Sequence, residues 1–246
     1  MKIMKNISYG PSELDLYLPD VMPAPVLIWF HGGGLDHGSR DNIWKWGIAE
    51  LLVSRGIAVA SADYRMYPEV GFPVFLEDAA ACCAFLRAHE QEWGGFTERY
   101  VGGNSAGGYI SMMLYFDRHY LNAVGLDPDG FDGYVFDAGQ PTTHFAVLKE
   151  RGLDPRAIRV DEASPLYFID RDVENPMEKP RMLFLAADND MPCRLEQHGV
   201  LLRTMWAFGY SPARVTFKKM AGYGHCKYTH EPVFADIVSE FIGGGK

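Results

Sequence analysis

Cysteine is scarce in this chain of 246 residues: there are four, Cys82, Cys83, Cys193 and Cys226. Two are adjacent and cannot easily pair with each other, and none stands at metal-ligand spacing. A disulfide framework and a metal site are therefore not expected, and a reducing, cytoplasmic setting fits best. Basic runs are missing as well. Twenty-three Lys and Arg against 32 Asp and Glu leave a formal charge of −9, a field that repels nucleic acid and anionic membranes. No apolar run approaches the ~18 residues of a membrane span. The first ten residues have lysines but neither an apolar core nor a small-residue cleavage pattern, so no signal peptide is expected. Repeats, low-complexity blocks and Ser/Gly linkers are absent too, and no domain boundary emerges.

What is present is the composition of an ordinary folded domain, 48% hydrophobic and 22% charged, far from the disordered or fibrous classes. A chain of this length can bury nearly three quarters of its unfolded surface, roughly, without staples. Because α/β folds run to about 250 residues as one unit, a single domain over residues 1–246 is expected.

Short apolar strands alternate with helical stretches. Residues 12–18 alternate polar and apolar, with Leu14, Leu16 and Leu18 in step, which predicts a half-exposed antiparallel strand. The continuous apolar runs 26–30 and 57–62 read as strands buried on both faces. Helical spacing covers 44–54 and then 74–93, closed by Gly94-Gly95. A strand near 99–103, a helix over 106–118 and a strand near 133–137 follow. Beyond the irregular residues 139–179 come a strand over 182–186, a helix over 194–208, a strand over 214–219 and a helix over 231–242. This order predicts an α/β fold with a mostly parallel central sheet and helices on both faces. Loops leaving the carboxyl ends of such strands build the site. The segment 139–179 is too long for a plain connection and reads as a small lid or substrate wall.

Gly103-Asn104-Ser105-Ala106-Gly107 falls between a strand and a helix. There a serine sits on a strained turn, small neighbours let the backbones approach, and the helix dipole faces a developing oxyanion. With 26 glycines in the chain, chance produces a Gly-x-Ser-x-Gly in roughly one such sequence in ten, so the strand–turn–helix context carries the weight. His31-Gly32-Gly33-Gly34 directly follows the buried run 26–30. Its glycines free backbone N–H groups to converge on a carbonyl oxygen, while His31 itself reads as a loop brace. A serine nucleophile needs a base, and the base an orienting carboxylate. His225, glycine-flanked on the loop before the last helix, is the candidate base, with His230 behind it. Asp188 and Asp190 compete for the acid, and Asp190 is favoured because it lies further out, toward His225.

These stretches, with Asp63-Tyr64-Arg65, Pro68-Glu69 and Ala163-Ser164-Pro165-Leu166, resemble the hormone-sensitive-lipase-like esterases and the related small carbohydrate and feruloyl esterases. The resemblance spans about residues 12–242 and implies the α/β-hydrolase fold. It makes Ser105 the nucleophile, Asp190 the acid and His225 the base. The backbone N–H groups of Gly33, Gly34 and Ala106 would form the oxyanion hole. It implies neither cofactor nor metal, and a small-molecule ester as the partner. The sequence departs from the family's lipase-like members in three ways: no N-terminal cap domain is expected, Leu35 stands where an aromatic commonly follows the glycines, and Cys226 follows the base. These point away from a long lipid tunnel.

For the substrate pocket, Phe145 and Leu166 are expected in an acyl wall, with Leu148, Tyr167 and Phe168 as further candidates. Asp36 and His37 beside the glycine loop, with Trp44 and Trp46 just after, suggest a polar and aromatic alcohol side. The reading is a serine carboxylesterase for short-chain acyl esters of small alcohols or carbohydrates. An amidase or arylformamidase on the same residues is the alternative. A non-catalytic receptor is disfavoured because Ser105, Asp190 and His225 are all present.

Overall fold

The apolar runs seen in the sequence lie in the middle of one eight-stranded sheet, in a computed structural model that describes residues 1–170 and 178–244. Its strands are β1 (Lys2–Ser8), β2 (Glu13–Leu18), β3 (Ala24–Phe30), β4 (Ala58–Ala62), β5 (Phe96–Asn104), β6 (Gly133–Asp137), β7 (Arg181–Asn189) and β8 (Val215–Gly224), in the spatial order β1-β2-β4-β3-β5-β6-β7-β8. Only β2 runs antiparallel to its neighbours β1 and β4; every other pairing is parallel. The helices are α1 (Asn42–Lys45), α2 (Ile48–Ser54), α3 (Val74–His89), α4 (Ala106–Phe116), α5 (His119–Ala123), α6 (Phe145–Glu150), α7 (Arg194–Ala207) and α8 (Pro232–Gly243).

Strands read as unbroken apolar runs because both faces are covered. Val26, Ile28 and Phe30 of β3 and Tyr134 and Phe136 of β6 point into the core shared with α3, α4 and α7. Their neighbours Leu27, Trp29 and Val135 point into a second core closed by α2 and α8. The alternation in β2 means something other than the half-exposure it predicts: Asp15 is 1% and Tyr17 0% exposed. The buried polar positions have their own partners, since Arg40 Nε reaches Asp15 at 3.0 Å and Trp44 stacks flat on Tyr17 at 5.1 Å.

Three boundaries move. The helix expected over 44–54 breaks into α1 and α2 at Gly47, whose φ of +73° is left-handed. The helix expected over 74–93 tightens after α3 into a 3₁₀ turn, Glu90–Trp93, that ends on Gly94 at φ +95°. Residues 2–8 were not expected as a strand; β1 is a largely exposed edge whose lysines mask its period. The segment 139–179, of which 171–177 lie outside the described residues, carries α6 and a 3₁₀ turn, Pro165–Phe168. Its part before residue 171 is fastened down: Tyr109 Oη donates to the Ala163 carbonyl at 2.8 Å, and Ser164 Oγ to that of Pro141 at 3.0 Å.

Candidate active site

The glycine loop, Ser105, Asp190 and His225 follow directly on the carboxyl ends of β3, β5, β7 and β8. β5 ends at Asn104 and α4 begins at Ala106. Between them Ser105 adopts φ +53° and ψ −112°, a backbone state that costs a non-glycine residue on the order of 1–3 kcal/mol. The flanking glycines make this turn sterically possible. A Cβ on Gly107 would lie 1.9 Å from the Phe30 carbonyl oxygen, and one on Gly103 would lie 2.4 Å from the Gly107 carbonyl carbon. The turn is further held by the Ser105 N–H, which donates to the Asp137 carbonyl at 2.7 Å.

The glycine loop lies against this turn. Gly32 N–H donates to Asn104 Oδ1 at 2.9 Å, which docks the loop on the residue before Ser105. Gly33 at φ +125° folds so tightly that a Cβ there would lie 1.8 Å from the His37 carbonyl oxygen. Burial lowers the His31 pKa and keeps the ring neutral. Its Nδ1 lies 2.7 Å from the Gly32 carbonyl, and its ring stacks on Tyr64 at 4.5 Å. Among the described residues no acceptor takes the N–H of Gly33 or Gly34, and the first-turn N–H of Ala106 has no intrahelical acceptor by construction.

His225, on the loop after β8, links the serine to a carboxylate. Its Nε2 lies 2.8 Å from Ser105 Oγ and its Nδ1 lies 2.5 Å from Asp190 Oδ1. Asp190 is buried beyond the end of β7; the N–H groups of Met191 and Ala187 also donate to it, at 2.7 and 3.2 Å. Burial alone would raise the Asp190 pKa, but the hydrogen bonds from His225 and Met191, with the charges of His225 and Arg194, hold it below the usual carboxylate value. Asp188 instead accepts the Gly222 N–H at 2.9 Å and braces the turn ahead of His225. The Cys226 sulfur lies 3.7 Å from His225 Nε2, and burial pushes its thiol pKa up, so it stays protonated. Among the described residues, no group of three or more His, Cys, Asp or Glu is placed to hold a metal.

A cleft of about 360 Å³ opens over Ser105, bounded by Gly32–Gly34, His37, Trp46, Phe145, His225 and His230. Phe145 and His37 are thus where the sequence suggests. Trp44 is not. Two residues apart on a helix is about 200°, so Trp44 turns to Tyr17 in the core while Trp46 faces the cleft, stacked on His230 at 3.8 Å. Leu166 is not in the cleft either; in the 3₁₀ turn it packs against the α4 side of the core, its N–H bound to the Pro141 carbonyl. Asp36 stands on the rim, more than half exposed, its carboxylate bonded to His37 Nδ1 at 2.5 Å and outside the cleft lining.

Asp137 was not picked out from the sequence, although a carboxylate ending a wholly apolar strand at the site edge is a readable signal. It is fully buried and accepts hydrogen bonds from Tyr228 Oη at 2.5 Å and Thr229 Oγ1 at 2.6 Å, both just after His225. Its side chain therefore holds the histidine loop while its carbonyl holds Ser105. Burial pushes its carboxyl from 3.8 up to about 7, against the lowering by the two hydroxyls. The folded state thus binds this proton more tightly than the unfolded chain. That contribution to stability is fully present below pH 3.8 and is lost as pH rises through about 7. In melting curves between pH 4 and 7, Asp137→Asn should gain on the wild type by up to ~1.4 kcal/mol per pH unit. A pH-independent gap between the two would overturn this assignment.

Comparison with known proteins fits this geometry. The BD-FAE family model matches residues 14–144, just over half of the chain. Esterase LipC of Mycobacterium tuberculosis is 37% identical over 90% of this chain and 59% of its own length. Esterase LipI of the same organism is 34% identical over 43% of this chain and 34% of its own length. The chain thus spans between about a third and three fifths of these two curated relatives. Among solved structures, a truncated carbohydrate esterase from gut microbiota superposes with a TM-score of 0.78 at 18% identity, covering 99% of this chain and 96% of that one. Esterase B from Lactobacillus Rhamnosis gives 0.75 at 18% identity, covering 98% and 85%. Likeness at that identity speaks for the fold, which is the α/β-hydrolase fold. No helix among the described residues is long and apolar enough to cross a membrane.

Proposed function

The chain belongs to the BD-FAE family, and on that footing we propose that it is a serine carboxylesterase acting on short-chain acyl esters of small alcohols or carbohydrates. One observation carries the reading: the unbroken chain from Asp190 through His225 to Ser105 Oγ, at 2.5 and 2.8 Å, on a strained turn beside unpaired amides. His225 takes the Ser105 proton as Oγ attacks the ester carbonyl. The N–H groups of Gly33, Gly34 and Ala106 receive the oxyanion. Collapse expels the alcohol with the proton from His225, and water, activated by the same imidazole, releases the acid. Asp190 fixes the tautomer that leaves Nε2 free to accept, and supports the imidazolium once formed.

The esterase names of the relatives support the reaction, and the size of the cleft supports a short acyl group. On the alcohol side, Trp46, His37 and Lys227 offer an aromatic and polar surface suited to a sugar or small polyol. Residues 1–246 act in this reading as a single domain, with the segment 139–179 supplying part of the substrate wall through Phe145. Four unpaired cysteines support a reducing, cytoplasmic setting.

A p-nitrophenyl series from acetate to decanoate tests the substrate class. Turnover should be highest at acetate to butyrate and fall with each added pair of methylenes, with acetylated sugars hydrolysed in turn. A maximum at decanoate, or turnover of anilides in preference to esters, would contradict it.

A further inference from the structure

A second cavity, of about 310 Å³, lies beside the Ser105 cleft, and Phe145 and Met191 line both. Its wall holds Arg194, Gln140 and Gln197. Arg194, at the start of α7, is 4% exposed. Its Nη1 donates to the Ala138 carbonyl at 2.5 Å, and its Nη2 faces Gln140 Oε1 at 3.3 Å and Met191 Sδ at 3.9 Å; Nε has no partner. All of these partners are neutral. Asp190, whose charge Arg194 feels, is already bonded to His225. The other arginine of the cavity, Arg156, is exposed and bound to Asp154 at 2.7 Å. In a chain of net charge −9, this cavity is lined by two arginines and no acid.

A buried guanidinium bonded only to neutral groups, with Asp190 acting on it at a distance while bonded to His225, is disfavoured, and neutral acceptors offset that only in part. A guanidinium is also the side chain whose geometry best fits a carboxylate. Resting on the esterase reading above, we propose that this second cavity is a subsite for a carboxylate carried by the ester substrate, held by Arg194 with the side-chain amide NH2 of Gln197, whose Oε1 already accepts from Thr142. Substrates of this class are monoesters of short dicarboxylic acids, or esters whose alcohol bears an acid group. Phe145 and Met191 then separate the reacting carbonyl from the anionic end.

The test compares matched charged and neutral esters on the full chain. Monoethyl succinate is set against ethyl butyrate for an acid on the acyl side. For the alcohol side, 4-(carboxymethyl)phenyl acetate is set against 4-ethylphenyl acetate. One pair should show at least tenfold higher kcat/KM for the charged member, mainly through KM, and which pair does so assigns the side. Arg194→Gln should bring that ratio close to one. Should this variant fail to fold by near-ultraviolet circular dichroism, Gln197→Leu should lower the same ratio. Charged-to-neutral ratios at or below one in both wild-type pairs, with Ser105-dependent turnover of the neutral esters, would overturn the subsite and leave the esterase reading intact. No turnover of any ester would overturn both.

Discussion

Ser105→Ala is expected to lower kcat on p-nitrophenyl acetate by on the order of a million-fold, the scale on which loss of a triad nucleophile acts. The variant should keep its circular dichroism, because Ser105 Oγ has only the His225 contact to lose while the turn is held by backbone bonds. His225→Ala should do nearly as much, and the double variant no more than either alone, since the two groups act as one unit. Asp190→Asn should cost about 10⁴-fold, because an amide facing Nδ1 at 2.5 Å favours the wrong tautomer. Residual turnover of a percent or more in Ser105→Ala would place the nucleophile elsewhere.

The second large effect is on folding. Gly107→Ala places a methyl 1.9 Å from the Phe30 carbonyl oxygen, backbone against backbone, with no flexible side chain to yield. β3 and α4 must then separate, which disrupts the packing of the core on that side and the turn that carries Ser105. The cost should exceed about 4 kcal/mol, in the range kept for overpacked or broken cores, so the variant should be insoluble or melt far below the wild type. Gly199→Ala is the matched control. Gly199 lies inside α7 with nothing within 4 Å of its Cβ position, so alanine there should stabilise by up to about 1 kcal/mol. Equal melting of the two variants would remove the close approach as the reason for glycine at 107.

These two expectations separate what could be read from the chain and what could not. The apolar runs at 26–30 and 133–137, and the glycines around Ser105 and after His31, carry local reasons that survive without the rest of the fold: burial on two faces, and backbones in contact. The α/β architecture and the residues that meet at Ser105 were legible for that reason. Trp44 against Trp46 was not, because two aromatics two residues apart at a short helix differ only in which face meets the core. Nor was the burial of Asp15, since alternation records two faces and says nothing of a second covering layer. Leu166 looked like a wall residue from its composition, yet the 3₁₀ turn aims it at α4. Asp137 and Arg194 matter through partners more than fifty residues away in the chain, and no local pattern announces such pairings.

In the proposed mechanism Ser105 carries the reacting oxygen and His225 activates it. The most direct test is intact-protein mass spectrometry after treatment with a p-nitrophenyl organophosphonate, followed by peptide mapping. One adduct per chain on the peptide containing Ser105 is expected, with loss of esterase turnover in step with labelling and far slower labelling in His225→Ala. An adduct on another residue, or full turnover in a chain labelled at Ser105, would contradict it.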